Sequence, residues 1–362
     1  MKLLSLVVFF ALSVFFPAVA GIRPSFMLDN STWHATHIVV ATEGDEIDGK
    51  LTVIESWKGD LRAGEIVDVP DLAAFKTDAS REVHYFLGEG NESRIKHVTG
   101  KRMVLFLIKN PNEEKAAGQE KLPVTPKRWL PANLYKEVNT AILWIEGEKS
   151  FAFMQIINPG PSELVEYSAS ETTIKAAVLK IIKDQNELNA INVIEDKLKR
   201  AEMLKRFTNS ENYFARQFAF ASFGVCGPEA LPILREMLKE ESNMQLHQHV
   251  IKAMTAAAPD RIGEELVTIL KDETAFWKIT GPNLKPGWWN DFSVGDEKRK
   301  RLQDRYGKVL EILYSLRKLK YVPCKSAVAE FRDFWRSLPQ LEDRSGLNQM
   351  SEACDHVLRE LP

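Results

Sequence analysis

The sequence predicts an α+β protein in which a small N-terminal β-barrel-like domain precedes an all-α domain. Two observations lead to this fold class. Short apolar or alternating runs, separated by polar insertions rich in Gly and Pro, occupy 36–157, which is typical of strands joined by long loops. Helical periodicity occupies 171–361, and within it the stretch 211–273 repeats at a constant offset.

The first 20 residues predict a cleavable signal peptide. Lys2 precedes the apolar run Leu3–Phe16, and Ala18-Val19-Ala20 forms a cleavage signal before Gly21. This run is too short to span the ~30 Å hydrocarbon core of a bilayer, and no later stretch is long enough. We therefore expect a secreted or periplasmic protein, cleaved after Ala20, with no transmembrane segment in the mature chain.

Composition gives no sign of a polyanionic partner. The chain has 48 Lys and Arg residues against 50 Asp and Glu residues, and 44% of its residues are hydrophobic. Such a chain is globular and nearly neutral. Because no recognition module accompanies this weak charge, we expect no binding to nucleic acid.

The N-terminal domain, 21–160, is predicted to contain six clear strands: Thr36–Thr42, Lys50–Trp57, Glu65–Val69, Arg102–Ile108, Thr140–Glu146 and Lys149–Ile157. Gly147-Glu148, between the last two, is a signal for a two-residue hairpin loop. About half a dozen strands with long loops favour a small closed barrel over an open parallel sheet. Asn158-Pro159-Gly160-Pro161 then ends the β region.

One segment of this domain suggests a family. Between Val53 and Val69 the sequence joins a strand, the turn Lys58-Gly59, a second Gly and another strand. In this it resembles the netrin-like and tissue-inhibitor-like OB barrels of exported proteins, over 33–157. The resemblance implies an OB-like barrel and raises the alternative of a protease inhibitor. Family members that inhibit metalloproteases use an N-terminal cysteine, which this half of the chain lacks, so inhibition itself does not carry over.

A repeat organises the helical domain, 161–362. Leu234 and Leu238 align with Leu266 and Leu270 at an offset of 32 residues, and Gly227-Pro228 interrupts the first copy. Each copy predicts a helix, a break and a second helix, which resembles HEAT-like repeats of an α–α superhelix. Since two copies are too few for a stable solenoid, flanking helices must cap them. These are a helix opened by a Ser168/Glu171 capping box, followed by Leu188–Phe207, Glu297–Leu319, Ser326–Ser337 and Leu347–Leu361.

The tryptophan-rich stretch Phe276–Phe292 is the candidate binding site, because it begins where a third repeat copy should begin. Stacked indoles beside polar groups can hold a sugar ring or an extended peptide. The residues in question are Trp277, Trp288, Trp289, Asn290 and Asp291. The alternative, which is commoner for clustered tryptophans, is that they fill the space between the repeat and the C-terminal helices.

Two further features have alternative interpretations. A basic patch, followed by Arg305 and Lys308, either contacts an anionic polymer or lipid headgroup, or is a solvated helix face with interleaved acids. It consists of Lys298, Arg299, Lys300 and Arg301. In an exported protein Cys324 and Cys354 are candidates for a disulfide, with Cys226 as a buried thiol. Three reduced, buried cysteines are equally consistent with the sequence.

Motifs for chemistry are absent from the sequence. It contains no phosphate-binding loop, no G-x-S-x-G element and no metal-ligand spacing of Cys or His, so we expect no cofactor and no metal. Asn30-Ser31-Thr32 and Asn91-Glu92-Ser93 match the glycosylation sequon, a short pattern that chance also produces.

The sequence therefore favours an exported, non-catalytic protein that binds another protein or an extracellular polymer through its helical-repeat surface. One alternative is an envelope or extracellular hydrolase whose dispersed catalytic residues meet at the domain junction. A second is a barrel that acts like a protease inhibitor.

Overall fold

The structure, a computed structural model, describes residues 26–44, 50–68, 83–87, 91–95, 102–109, 129–131, 142–154, 163–167, 169–285, 288–290, 295–338 and 349–361. The predicted signal peptide, 1–20, lies outside these residues. The chain divides into two compact units, Met1–Gln185 and Asn186–Pro362.

The first unit is built on a ten-stranded sheet. Its strands are β1 (His37–Glu43), β2 (Lys50–Lys58), β3 (Ile66–Asp68), β4 (Val83–Leu87), β5 (Asn91–Ile95), β6 (Arg102–Lys109), β7 (Trp129–Pro131), β8 (Ile142–Glu146), β9 (Lys149–Met154) and β10 (Glu163–Glu166). The order across the sheet is β3-β2-β1-β6-β8-β9-β10-β4-β5, and β7 pairs with the end of β6. Neighbours are antiparallel except β10 and β4.

The α+β class is confirmed, but the closed barrel expected from the sequence is wrong. A barrel requires its first and last strands to pair. Here β3 and β5 stand at opposite ends of the strand order. The edge strand β3 has only three residues, so it offers few backbone groups for closure, and the sheet is open.

The central strands are buried on both faces, which explains their nearly continuous apolar sequence. In β1, Val39 faces one apolar layer together with Leu105 of β6, whereas Ile38 faces the other together with Phe106. The predicted hairpin is confirmed, since Glu146 pairs with Lys149 across a two-residue loop. Gly147 has a φ of +60°, the conformation that a type II′ turn requires at its first loop residue.

Two helices belong with this sheet. A short helix that was not predicted from the sequence, α1 (Leu28–His34), precedes β1. Asn30 of the first sequon lies in it and is only 3% exposed, which leaves no room for a glycan in the folded unit. The longer helix, α2 (Glu171–Asn192), packs Ile174 and Val178 against the second apolar layer.

Ser168, which belongs to the predicted capping box, lies outside the described residues. Ser170 caps the start of α2, because its hydroxyl accepts a hydrogen bond from the backbone N–H of Thr173 at 3.3 Å. Glu171, in the first turn, accepts two hydrogen bonds from Arg102 of β6 at 2.6 and 2.7 Å. This packing explains why the first compact unit extends to Gln185, beyond the boundary at 160 drawn from the sequence.

The second unit is helical. After the end of α2 it contains α3 (Lys197–Lys205), α4 (Tyr213–Cys226), α5 (Leu231–Lys239), α6 (His247–Ala257), α7 (Gly263–Thr280), α8 (Asp296–Lys318), α9 (Lys325–Arg336) and α10 (Gln349–Glu360). The two repeat copies form the pairs α4–α5 and α6–α7. The single helix predicted over Leu188–Phe207 is wrong, because Asp196 starts a new helix by accepting a hydrogen bond from the Lys199 N–H at 3.0 Å.

Candidate functional site

The tryptophans of the predicted binding stretch form a buried aromatic cluster. Trp277 and Trp288 are 0% and 2% exposed, and their ring centroids are 5.9 Å apart. Trp335 of α9 packs against Trp277 at 5.3 Å, and Tyr306 of α8 packs against Trp335 at 5.8 Å. Trp277 and Trp288 therefore present no ring face to solvent. This arrangement corresponds to the space-filling alternative drawn from the sequence.

The rest of that stretch divides among several elements. The residues from Phe276 to Thr280 continue α7 instead of forming a loop. Trp289 is half-buried and packs edge-on against Tyr306 at 5.0 Å. Asn290 ends a single 3₁₀ turn, and Asp291 lies outside the described residues. A binding role for these last residues stays a prediction.

Beside the cluster lies a groove of about 540 Å³. It lies between the C-terminal end of α7, the first three turns of α8, and the 3₁₀ segments Glu241–Leu246 and Gly281–Asn283. Its volume falls within the range of ~300–1,000 Å³ that ligand pockets usually have. We call this feature the α7/α8 groove.

The lining of the α7/α8 groove mixes apolar side chains with polar and charged ones, and it includes one acid, the exposed Glu241. Met244 and Leu302 are buried at 8% and 4% exposure. Phe276 and Leu284 are half-buried in its walls, whereas Ile279 is 75% exposed. Ile279 thus places an apolar side chain at the open side of the groove, where a ligand could pack against it.

Cations line the α8 side of the groove. Lys298, Arg301 and Arg305 occur at spacings of three and four residues and all line the groove, because residues so spaced share one helix face. Lys298 is exposed and forms no ion pair with any residue that the structure describes. Arg301 donates to Glu297 at 2.9 Å, with side chains 63% and 83% exposed.

The predicted basic patch is thereby divided by helix geometry. Lys298 and Arg301 line the groove, whereas Arg299 and Lys300 do not. Arg299 donates to Asp296 at 2.7 Å, one turn away. The interleaved acids of the solvated-face interpretation are thus in place, and only part of the patch is available to a groove ligand.

A buried ion cluster supports the inner wall of the groove. The Glu273 side chain, 3% exposed, accepts hydrogen bonds from Arg305 at 3.0 and 3.1 Å and from Lys308 at 2.9 Å. The Arg305 guanidinium also stacks over the Phe276 ring, 3.9 Å from its centroid. One carboxylate thus faces two cations, which leaves a net positive charge behind the groove.

His247, buried in the same unit, does not add to this charge. Burial lowers the pKa of His247, and the nearby Lys308 lowers it further, against the raising effects of the Glu240 carbonyl and Glu273. The imidazole is therefore kept neutral near physiological pH. Its Nε2 lies 3.3 Å from the Glu240 carbonyl oxygen.

Glu273 was not predicted from the sequence, although its partners Arg305 and Lys308 were noted beside the basic patch. A signal was present, because Glu273 falls in the apolar stripe of α7 that also contains Leu266, Leu270 and Trp277. A carboxylate in a buried stripe is rarely tolerated without a cationic partner.

The first unit holds a second polar cluster, which joins its elements. Lys58 donates to the Thr32 carbonyl oxygen at 3.1 Å and to Gln185 Oε1 at 2.8 Å. Burial lowers the pKa of Lys58 to about 8. Gln185 in turn donates to the Trp33 carbonyl oxygen at 3.0 Å. The cluster therefore connects α1, β2 and α2.

A Thr–His–Asp row in the same unit also has a structural explanation. His37 lies 2.7 Å from Asp60 and 2.9 Å from the Thr36 hydroxyl. That hydroxyl accepts a hydrogen bond from the Lys109 N–H at 2.9 Å and lies 3.3 Å from the Leu107 carbonyl oxygen. Because these backbone contacts tie it to β6, we assign it no nucleophilic role.

The three cysteines are separate thiols. Cys226, Cys324 and Cys354 are free and buried in the structure, and a Cys324–Cys354 bridge stays a prediction. Within the described ranges, no group of three or more His, Cys, Asp or Glu side chains is placed to hold a metal ion. None of the described helices has the length and apolar character needed to cross a membrane.

Comparisons with known proteins found no match: no family model, no curated protein and no solved structure matches the chain. The function has therefore to be inferred from the chemistry of the groove.

Proposed function

We propose that this is an exported, non-catalytic binding protein and that the α7/α8 groove holds its ligand. The observation that carries the proposal is the combination of an open apolar wall at Ile279 with unburied cations at Lys298 and Arg301. Specific sites commonly combine an apolar surface with a few polar groups that orient the ligand. Export rests on the signal peptide expected at 1–20.

The proposal includes a HEAT-like architecture for the second unit. Its support is that the first helices of successive copies pack side by side, α4 on α6 and α6 on α8. Stacking of this kind is how repeat proteins bury a continuous core. In such an architecture α8 takes the place of the next repeat helix, and α9 and α10 cap the array. The groove then lies at the edge of the repeat.

Affinity capture with matched variants tests the proposal. The bait is the mature chain, and the source is the native exported fraction. Ile279→Asp introduces a charge into the groove wall, and Val193→Asp makes a comparable change at a residue that is 79% exposed and outside the groove lining. Because both positions are exposed, neither change should alter folding much.

The expected result is a component retained by the wild type and by Val193→Asp but lost with Ile279→Asp. Equal retention by all three proteins would show that binding does not use the groove.

A further inference from the structure

We infer that the ligand of the α7/α8 groove is an acidic peptide segment with aliphatic side chains, bound in an extended conformation. This inference rests on the proposed function of the groove and goes further by naming the chemistry of its ligand. It follows from the charge, the shape and the hydrogen-bonding groups of the groove lining.

The cations along α8 call for carboxylates on the ligand. Lys298, Arg301 and Arg305 line the groove in sequence along one helix face. At 1.5 Å per residue the first and last are about 10 Å apart along the helix. An extended peptide covers that distance with about three residues. Two acidic residues at alternate positions of such a peptide lie about 7 Å apart and therefore fit within the row.

These cations differ in how available they are. Lys298 has no ion pair within the described chain, and Arg301 pairs with Glu297 in a solvent-exposed geometry. Exposed pairs contribute little, so a ligand carboxylate can replace Glu297 at little cost. Arg305 is held by Glu273, but Lys308 shares the same carboxylate. The excess positive charge lies behind the groove wall at low exposure, where screening by solvent is weak.

The apolar part of the lining favours aliphatic side chains over sugar rings. Met244, Ile279 and Leu302 are aliphatic groups of the size that Leu, Ile or Val side chains pack against. The aromatic ring in the lining, Phe276, has a face covered by Arg305 at 3.9 Å, and Trp277 packs against it at 84°. A sugar ring stacks on an open aromatic face, and Arg305 already occupies one face of this ring.

A peptide backbone also finds a hydrogen-bond acceptor in the groove. Asn283 lines it and donates its side-chain N–H to the Ile279 carbonyl oxygen at 2.9 Å. That bond fixes the orientation of the carboxamide, so its oxygen is left to accept an N–H from a ligand. A fatty acid has no N–H to donate, so this group favours a peptide.

Fluorescence anisotropy with short labelled peptides tests the inference on the mature protein. The probe alternates Glu and Leu, and matched probes replace Glu by Gln or by Lys. We expect the Gln peptide to bind about 10-fold more weakly than the Glu peptide, and the Lys peptide not to bind. Raising the ionic strength from about 0.05 M to about 0.3 M should weaken binding of the Glu peptide several-fold.

Two exposed lysines on α8 give a matched pair of variants. Lys298→Glu reverses a charge in the groove, whereas Lys300→Glu makes the same reversal two residues away and outside the lining. We expect Lys298→Glu to weaken binding of the Glu peptide by about 10-fold or more, and Lys300→Glu by less than about 2-fold. Equal effects of the two variants, or equal binding of the Glu and Gln peptides, would overturn the inference.

Two further probes separate this inference from the proposed function. Oligogalacturonate presents carboxylates on sugar rings, and myristate presents one on an acyl chain. If either binds in a manner sensitive to Lys298→Glu while the Glu peptide does not, the peptide assignment is wrong and groove binding stands. If no probe binds and Ile279→Asp changes no retention in the capture experiment, both proposals fail.

Discussion

Replacing Glu273 with Gln tests the buried ion cluster that supports the α7/α8 groove. The substitution keeps the size of the side chain and one acceptor oxygen, but it removes the negative charge. Arg305 and Lys308, whose side chains are 21% and 14% exposed, then face each other without a carboxylate between them. Packing is preserved, so the measured change reports the electrostatics of the cluster.

The structure allows the size of the effect to be worked out. Glu273 accepts three charge-assisted hydrogen bonds in a nearly solvent-free position. Removing one partner of a buried ion pair costs about 3–5 kcal/mol, because a buried charge is left uncompensated. The acceptor oxygen that Gln retains and the partial exposure of the two cations reduce this cost. We expect the free energy of unfolding of the helical unit to fall by about 3 kcal/mol.

Glu297→Gln provides the matched control. It removes the same charge from the same groove region, but its partner Arg301 is 63% exposed and Glu297 itself is 83% exposed. Exposed pairs of this kind contribute about 0–1 kcal/mol. The two variants therefore make the same chemical change, one at a buried position and the other at an exposed position.

Hydrogen exchange read by mass spectrometry is the suitable assay, since the chain has two compact units and a single global transition cannot be assumed. Protection of amides in α7 and α8 reports the local free energy of opening. We expect a clear loss of protection there for Glu273→Gln and little change for Glu297→Gln. A loss below about 1 kcal/mol for Glu273→Gln, or one equal to the control, would refute the reasoning.

Three other predictions concern backbone strain, pH and thiols. Gly59→Ala should destabilise the first unit by about 2–4 kcal/mol, because at a φ of +92° its new Cβ would lie 2.3 Å from the His37 ring. Gly64→Ala, at a φ of +89° with open space around its new Cβ, should destabilise the unit less. Urea titration of both variants measures the difference, and equal destabilisation would contradict the clash with His37. Since the pKa of Lys58 is lowered from 10.5 to about 8, the unfolded chain binds more protons between these values, so stability should rise with pH there. In Lys58→Met the unfolding free energy should rise less than in the wild type between about pH 7.5 and about pH 9.5. An unchanged rise would show that Lys58 is not the source of this pH dependence. Because burial raises the pKa of Cys354 to about 12, a thiol reagent should label Cys354 only when the chain unfolds. Three thiols per unreduced chain should then react, and only one reactive thiol per chain would indicate a disulfide.

The secondary structure could be predicted where local sequence and burial agree. β1 and β6 lie at the centre of the sheet, so both of their faces are apolar and the strand signal is strong. The loop at Gly147 was predictable because two-residue hairpins need a residue that accepts a positive φ. Closure of the sheet was not predictable, since it depends on whether distant edge strands meet.

The role of the tryptophans depended on contacts that no local pattern contains. Clustered indoles fit both a ligand platform and a core in sequence, and the core is the commoner of the two. What separates the two is whether rings from other helices pack against the indoles, as Trp335 does against Trp277 and Tyr306 does against Trp289. The rings pack together in the core, and the binding surface therefore shifts to the neighbouring helix face.

The basic patch shows that the direction of each side chain around the helix decides which cations face the groove. Four consecutive cations cannot all face one way, because successive residues on a helix are about 100° apart. Lys298 and Arg301 share the groove face with Arg305, whereas Arg299 turns toward Asp296. The sequence contains this phase information, but it does not contain the position of α7, which supplies the facing wall.

Glu273 connects the stability of the second unit with the charge of its groove. If the cluster of Glu273, Arg305 and Lys308 had no role beyond packing, apolar residues at all three positions would be at least as stable, since replacing a whole buried ion cluster by hydrophobic groups is often neutral or favourable. Replacing Glu273 alone would instead leave Arg305, stacked on Phe276, and Lys308 without a carboxylate partner. The carboxylate therefore fixes a cation in the groove wall. This is the arrangement expected if the groove recognises acidic groups.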